Sequence, residues 1–297
     1  MAPRIAEDLR EQMIVRLAAN EQEIDQALDV CLVNEPSVDP ADRDAILDHW
    51  LMMHTYCPEG FWIAQEEASH QIIGVASAVR LPPQWILANF YVLPAYHGMG
   101  IGKKLLDKIF SIREGCNRLL VHASSHPSAQ SLYIQLGMVP LPYSMMFKGQ
   151  PHHEVTPATL TVEECPVAEI LRTLNTLDQQ ALGFTRDSYH RWWAKKGNYF
   201  LVKQDDQVVA YFRVSEGMIG PLVVSNERWM TAALDWAIVK QKEISSGPHE
   251  IFVPGVNTAA IGHLFARGYR FHDLNLLLSS HPMPGLARVI FHDTDLL

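Results

Sequence analysis

No CxxC pair exists among the four cysteines, Cys31, Cys57, Cys116 and Cys165, and their wide spacing excludes a zinc module and a disulfide framework, so no metal is expected. No window approaches the run of about 18 apolar residues that a membrane span needs. The start, MAPRIAEDLREQM, lacks the apolar stretch of a secretory signal, so a cytoplasmic protein with no membrane partner is expected. A basic excess is also missing: the formal net charge of −9 argues against a nucleic-acid partner and serves chiefly as a solubility term. Low-complexity tracts are absent, and 48% apolar with 19% charged residues is the composition of a folded globular chain. At 297 residues the chain has room for two domains.

What is present is an alternation of strand and helix patterns. "MIVRL" (13–17) reads as a strand, and Ile24 to Leu32 and Ala41 to His54 read as helices around a loop holding Pro36 and Pro40. "FWIAQEEASHQIIGVASAVR" gives two strands around a polar turn, and "WILANFYVL" (85–93) alternates too little for a half-solvated strand, which places it centrally. Pro94 ends it. Ile101, Leu105, Leu106, Ile109, Phe110 and Ile112 then recur at helical spacing until Gly115. "RLLVHASS" follows as a strand, "HPSAQSLYIQLG" as a short helix and "YSMMFKG" as a strand, completing one unit.

Residues 149–158, "GQPHHEVTPA", read as a linker, so domains of 1–150 and 151–297 are expected. The second half replays the first: a hairpin at "YFLVKQDDQVVAYFRV", a helix at "RWMTAALDWAIVKQK" and a glycine-ended helix at "NTAAIGHLFARGYRF". Ala129 precedes Gly137 by eight residues, and Ala260 precedes Gly268 by the same distance.

Between the central strand and its helix stands "YHGMGIGKKLL", with glycine at every second position from 98 to 102. Backbone N–H groups at a helix start lack intrahelical partners and sit at the positive end of the dipole. Glycine lets an anion approach them, and Lys103 and Lys104 add charge, so phosphate or pyrophosphate is the natural occupant. A Walker A loop is excluded, because Gly98 and Gly102 enclose three residues and no Ser or Thr follows Lys103. A dinucleotide fingerprint is excluded by the lack of glycine at 103.

The stretch His97-Gly98-Met99-Gly100-Ile101-Gly102 resembles the signature of the GCN5-related N-acetyltransferases, or GNAT family, in which Arg or Gln precedes a Gly-x-Gly turn that holds coenzyme A. "FYVLP" looks like that family's strand end, and "HPSAQSLYIQLGM" looks like its second motif. The resemblance covers residues 12–148; "GFTRDSYHRWW" and "IGPLVV" are similar to the second domain of tandem members. It implies an α/β fold of tandem GNAT type: two mixed β-sheets flanked by helices, with splayed central strands in the first domain. It also implies a monomer, since the duplication mimics a dimer.

By that resemblance the amides of Gly98, Met99, Gly100, Ile101, Gly102 and Lys103 hold the pyrophosphate of acetyl-CoA, and the main chain of Phe90 and Val92 pairs with its pantetheine arm, Tyr91 between them being counted with the cofactor-binding residues. Tyr133 falls on the family tyrosine that protonates the departing thiolate. His97 replaces the usual Arg or Gln and His126 the usual Asn, which introduces two groups that titrate near neutrality and predicts pH-sensitive cofactor affinity. The strand position where the family often carries an acidic base holds Ala88 and Asn89. His122 is the relay candidate in its place. Acceptor contacts are expected from Glu35 and Asp39 and from Tyr189, Trp192 and Trp193. The second half has no glycine before its helix and Leu264 at the tyrosine position, so it is expected to bind no acetyl-CoA and to complete the acceptor pocket. The expected activity is acetyl transfer to a primary amine in a ternary complex; the alternative is a non-catalytic acyl-CoA-binding or sensing module.

Overall fold

A computed structural model describes residues 13–36, 38–123, 127–151 and 160–293. The chain divides into two compact units, one of residues 1–80 with 85–117 and one of 81–84 with 118–297. Among the described residues no helix is long and apolar enough to cross a membrane, and no His, Cys, Asp or Glu cluster is arranged to hold a metal.

The first unit runs β1 (Met13–Leu17), α1 (Glu21–Asn34), α2 (Arg43–Tyr56), β2 (Phe61–Glu66), β3 (Ile72–Leu81), β4 (Gln84–Val92) and α3 (Ile101–Ile109). Its strands lie in the order β1-β2-β3-β4. Asn20 starts α1 by accepting the Glu23 amide, and Arg16 secures the same end through Glu23 at 2.7 Å. β3 is buried on both faces, as its nearly unbroken apolar run requires. Ile101, Leu105, Leu106 and Ile109 turn one stripe of α3 into the core, where Trp50 packs on Phe61 and Trp85 stacks on Phe110.

The second unit continues with β5 (Arg118–Ala123), α4 (Pro127–Gln135), β6 (Val139–Pro140), β7 (Ser144–Gly149), β8 (Thr161–Glu164), α5 (Val167–Ala181), α6 (Asp187–Trp193), β9 (Asn198–Gln204) and β10 (Gln207–Ser215). It ends with β11 (Met218–Val224), α7 (Met230–Ile244), β12 (His249–Pro254), α8 (Thr258–Arg267), β13 (Arg270–Ser279) and β14 (Val289–Ile290). From β8 to α8 the elements repeat the order of β1 to α4 one for one, which carries the duplication read from spacing.

The last strand of each repeat is exchanged. Strand order in the second unit is β5-β13-β7-β12-β11-β10-β9-β8, so β13 pairs with β5 (Leu276 opposite Ala123) and β7 pairs with β12 (Phe147 opposite Ile251). β7 and β13 also pair with each other, Phe147 opposite Phe271. One sheet therefore takes strands from both repeats, and the unit boundary at 117/118 falls inside the first repeat.

The core of this unit includes an apolar cluster around Phe212, Leu234, Ile251 and Tyr269, and the unit also buries a polar network. Arg186 donates Nε and Nη2 to the two oxygens of Asp178 at 2.9 and 2.8 Å, and His190 Nε2 donates to Asp178 Oδ2 at 2.8 Å. His190 Nδ1 accepts from Tyr199 at 2.9 Å, and the Tyr211 hydroxyl donates to Asp178. Burial opposes the charge on Asp178, but Arg186 and His190 outweigh it and hold the carboxyl below its ordinary range. Burial keeps His190 below its own, so it serves as a neutral donor to the carboxylate.

Candidate functional site

In the first unit, burial falls off along β4: Gln84 to Leu87 are enclosed, whereas Phe90, Tyr91 and Val92 are partly open. The Leu93 amide donates to Ile73 O on β3 at 2.8 Å, so by alternation the main-chain groups of Phe90 and Val92 lie on the opposite edge. There the His97 Nε2 donates to Val92 O at 2.8 Å. His97 thus closes the turn back onto the strand that enters it. Tyr96 braces the other side, its phenol raised first by burial and then by the Glu66 carboxylate.

The turn itself has two left-handed glycines, Gly98 at φ +77° and Gly100 at φ +81°, and a Cβ on either would meet nothing within 4 Å. Open space therefore lies in front of both. The first helical bond of α3 is Lys104 N–H to Gly100 O at 3.1 Å, so the amides of Ile101, Gly102 and Lys103 precede the hydrogen-bonded ladder. Ile101 is buried and fixes the helix start, while Lys103 and Lys104 are exposed. Gly102 has a different reason: a Cβ there would come within 3.0 Å of Phe90 Cζ. It lets the helix sit on the strand. Neither the His97 clasp nor the Phe90 contact was read from the sequence, although a histidine five residues beyond a strand end, and an aromatic facing a third glycine, were its visible traces.

β4 carries no carboxylate, and Asn89, at the position of the missing base, is buried and donates to Ser77 Oγ at 2.8 Å. Asp39 is engaged as a cap, accepting the Ala41 amide at 2.9 Å, and Glu35 ends α1 half-buried.

In the second unit, Tyr133 is 4% exposed on α4, and burial alone raises its phenol far above the ordinary tyrosine range. Its carbonyl accepts the Met138 amide at 3.1 Å, closing the helix before Gly137. His122 on β5 packs edge-on against Phe291 at 5.4 Å. His126 lies outside the described residues. Tyr189 and Trp193 are core residues, 1% and 0% exposed, with Trp193 stacked on His292 at 4.4 Å, so neither ring offers a face to an acceptor. Trp192 is half-buried, with Lys196 over its ring. In the second repeat the Asn226 side chain accepts the Arg228 amide at 3.1 Å, capping the single turn Glu227–Trp229 that leads into α7.

Residues 58–139 match the family model described as "Acetyltransferase (GNAT) domain". Over that stretch the chain is similar to GNAT acetyltransferases. Over 71 residues it is 38% identical to the [ribosomal protein bS18]-alanine N-acetyltransferase of Haemophilus influenzae, a stretch covering 23% of this chain and 49% of that protein. The match thus spans about half the length of this relative. Among solved structures, an acetyltransferase described as putative from Pyrococcus horikoshii aligns over 97% of this chain and 96% of its own, with TM-score 0.77 and 18% identity. A GCN5-related N-acetyltransferase from Sphaerobacter thermophilus aligns over 92% and 97%, with TM-score 0.62 and 15% identity. A tandem GNAT protein from the clavulanic acid biosynthesis pathway aligns over 91% and 99%, with TM-score 0.60 and 14% identity. At these identities the structural likenesses show the tandem GNAT fold, and its helices and mixed sheet are those described above.

Proposed function

We propose that the chain is an acetyl-CoA-dependent N-acetyltransferase acting through its first repeat. The observation that carries this reading is the open turn at Gly98 and Gly100, set before the unpaired amides of α3 inside the stretch that matches the GNAT family model. Such a turn fits a pyrophosphate: two positive-φ glycines, three forward-pointing amides, two exposed lysines. Gly98, Met99, Gly100, Ile101, Gly102 and Lys103 would hold it. The outer edge of β4 at Phe90 and Val92, on either side of Tyr91, would take the pantetheine arm, with His97 marking where that edge ends.

Bound there, acetyl-CoA supplies a thioester for attack by a primary amine. Tyr133 holds its proton throughout the neutral range and is the donor we assign to the departing thiolate. Burial raises the phenol and so keeps it protonated and available as a general acid. For the acceptor, a lysine-type amine near 10.4 costs roughly 4.6 kcal/mol to deprotonate at pH 7, whereas an α-amine near 7.8 costs about 1. With no carboxylate on β4 to act as base, the α-amine is favoured, and a peptide beginning with alanine is the first acceptor to try, given the activity named for the Haemophilus relative.

The test is thiol release from acetyl-CoA with a panel of α-amines and ε-amines. The missing carboxylate equally favours a second reading, a non-catalytic acyl-CoA sensor. Tight binding with no turnover on any amine would select it.

A further inference from the structure

β11 and β12 are, by element order, the second repeat's counterparts of β4 and β5. They are in parallel register only at Met218 and Glu250, where the Glu250 amide donates to Gly217 O at 2.8 Å. Beyond that point β14 stands between them. Val289 and Ile290 pair antiparallel with Val223 and Leu222 of β11. Phe291 N–H donates to Phe252 O of β12 at 2.8 Å. The segment therefore bonds the main chain on both sides of the gap.

Its fit is complete. Val289, Ile290 and Phe291 are each 0% exposed. Asn257, which caps α8 by accepting the Ala260 amide at 3.1 Å, also donates Nδ2 to Val289 O at 3.0 Å, so one side chain holds the helix start and the inserted segment together. Gly220 on β11 clears the way, since a Cβ there would collide with the Phe291 carbonyl. Beyond the segment, Phe291 meets the His122 ring and His292 stacks on Trp193.

We propose that the gap between β11 and β12 is a recognition site for extended peptide main chain, permanently occupied by the chain's own Val289–Phe291, and is not a second thioester site. An extended peptide matches strand edges at every second residue, which a pantetheine arm with its sparser amides does not. Tethering makes the ligand intramolecular, with an effective concentration in the millimolar range or above. The inference rests on the correspondence between the repeats and stands whether or not the first repeat transfers acetyl groups.

A protease site inserted between Pro282 and Met283 allows the folded full-length protein to be cut after purification. The expected result is that the released C-terminal piece co-elutes with the body in native gel filtration and separates only in denaturant. In a Gly220→Val background the same piece should be lost on cutting. Loss of the wild-type piece without change in Tm would overturn the proposal, and so would its displacement by coenzyme A with two equivalents bound per chain. Retention of the piece together with no coenzyme A binding at all would support the peptide slot and count only against the cradle at Gly98–Lys103.

Discussion

The edge of the Phe90 ring stands 3.0 Å from the point a Cβ on Gly102 would occupy. Gly102→Ala should gain about 1 kcal/mol of helix propensity and lose about 1–3 kcal/mol to overpacking, for a net destabilisation. The expected Tm decrease is about 2–4 °C per kcal/mol lost. Phe90→Leu in that background should recover part of it. A thermal double-mutant cycle with no coupling between the two positions would refute the contact.

Gly100 answers to a different demand. Aspartate at φ +81° is strained by about 1–2 kcal/mol, which the domain should survive, but it also brings a negative charge to an anion seat. Gly100→Asp is expected to fold with a modest fall in Tm and to lose coenzyme A binding in calorimetry. Unchanged affinity would remove the turn from the cofactor site.

Tyr133→Phe should lower kcat by about 10²- to 10⁴-fold and leave the coenzyme A Kd nearly unchanged. Because the phenol is raised above its ordinary value, its protonated form persists as pH rises through the neutral and moderately alkaline range. No alkaline fall in kcat below pH of about 10 should therefore trace to this residue. A fall present in the native enzyme and absent in Tyr133→Phe would contradict the assignment.

Removing the Asp178 charge strands Arg186 in the core. Asp178→Asn is expected to destabilise the chain by about 3–5 kcal/mol, read from urea midpoints. The folded pKa of Asp178 is depressed, so its contribution is fully present above the ordinary carboxylate value and disappears as pH falls below about 4. The stability gap between native and Asp178→Asn should accordingly narrow between pH 5 and pH of about 2. A constant gap would show that the carboxylate's charge is not what stabilises the core.

The glycine turn, the hairpins and the duplication were legible because each leaves a local signature: positive-φ glycines before a helical stripe, alternation around a polar turn, a recurring Ala-to-Gly interval. The sequence treats the three glycines alike, yet Gly98 and Gly100 border open space and Gly102 answers to Phe90, a distinction that only packing reveals. Strand exchange was not legible, since "YSMMFKG" and the strand after Gly268 are both apolar enough to serve in either repeat, and pairing between distant segments leaves no periodic trace. β14 is too short to have a period at all. Tyr189 and Trp193 show the usual fate of clustered aromatics, which bury large areas and so are drawn into cores.

The exchanged strands also bear on how such a protein can be taken apart. Cutting the polypeptide near residue 150 and expressing the N-terminal portion alone would leave β5 without β13, and β7 without β12 or β13. The bare edges would invite association with other copies, so the half-length product should be recovered as aggregate. Neither repeat owns a finished sheet of its own, so the two can be separated only by breaking one.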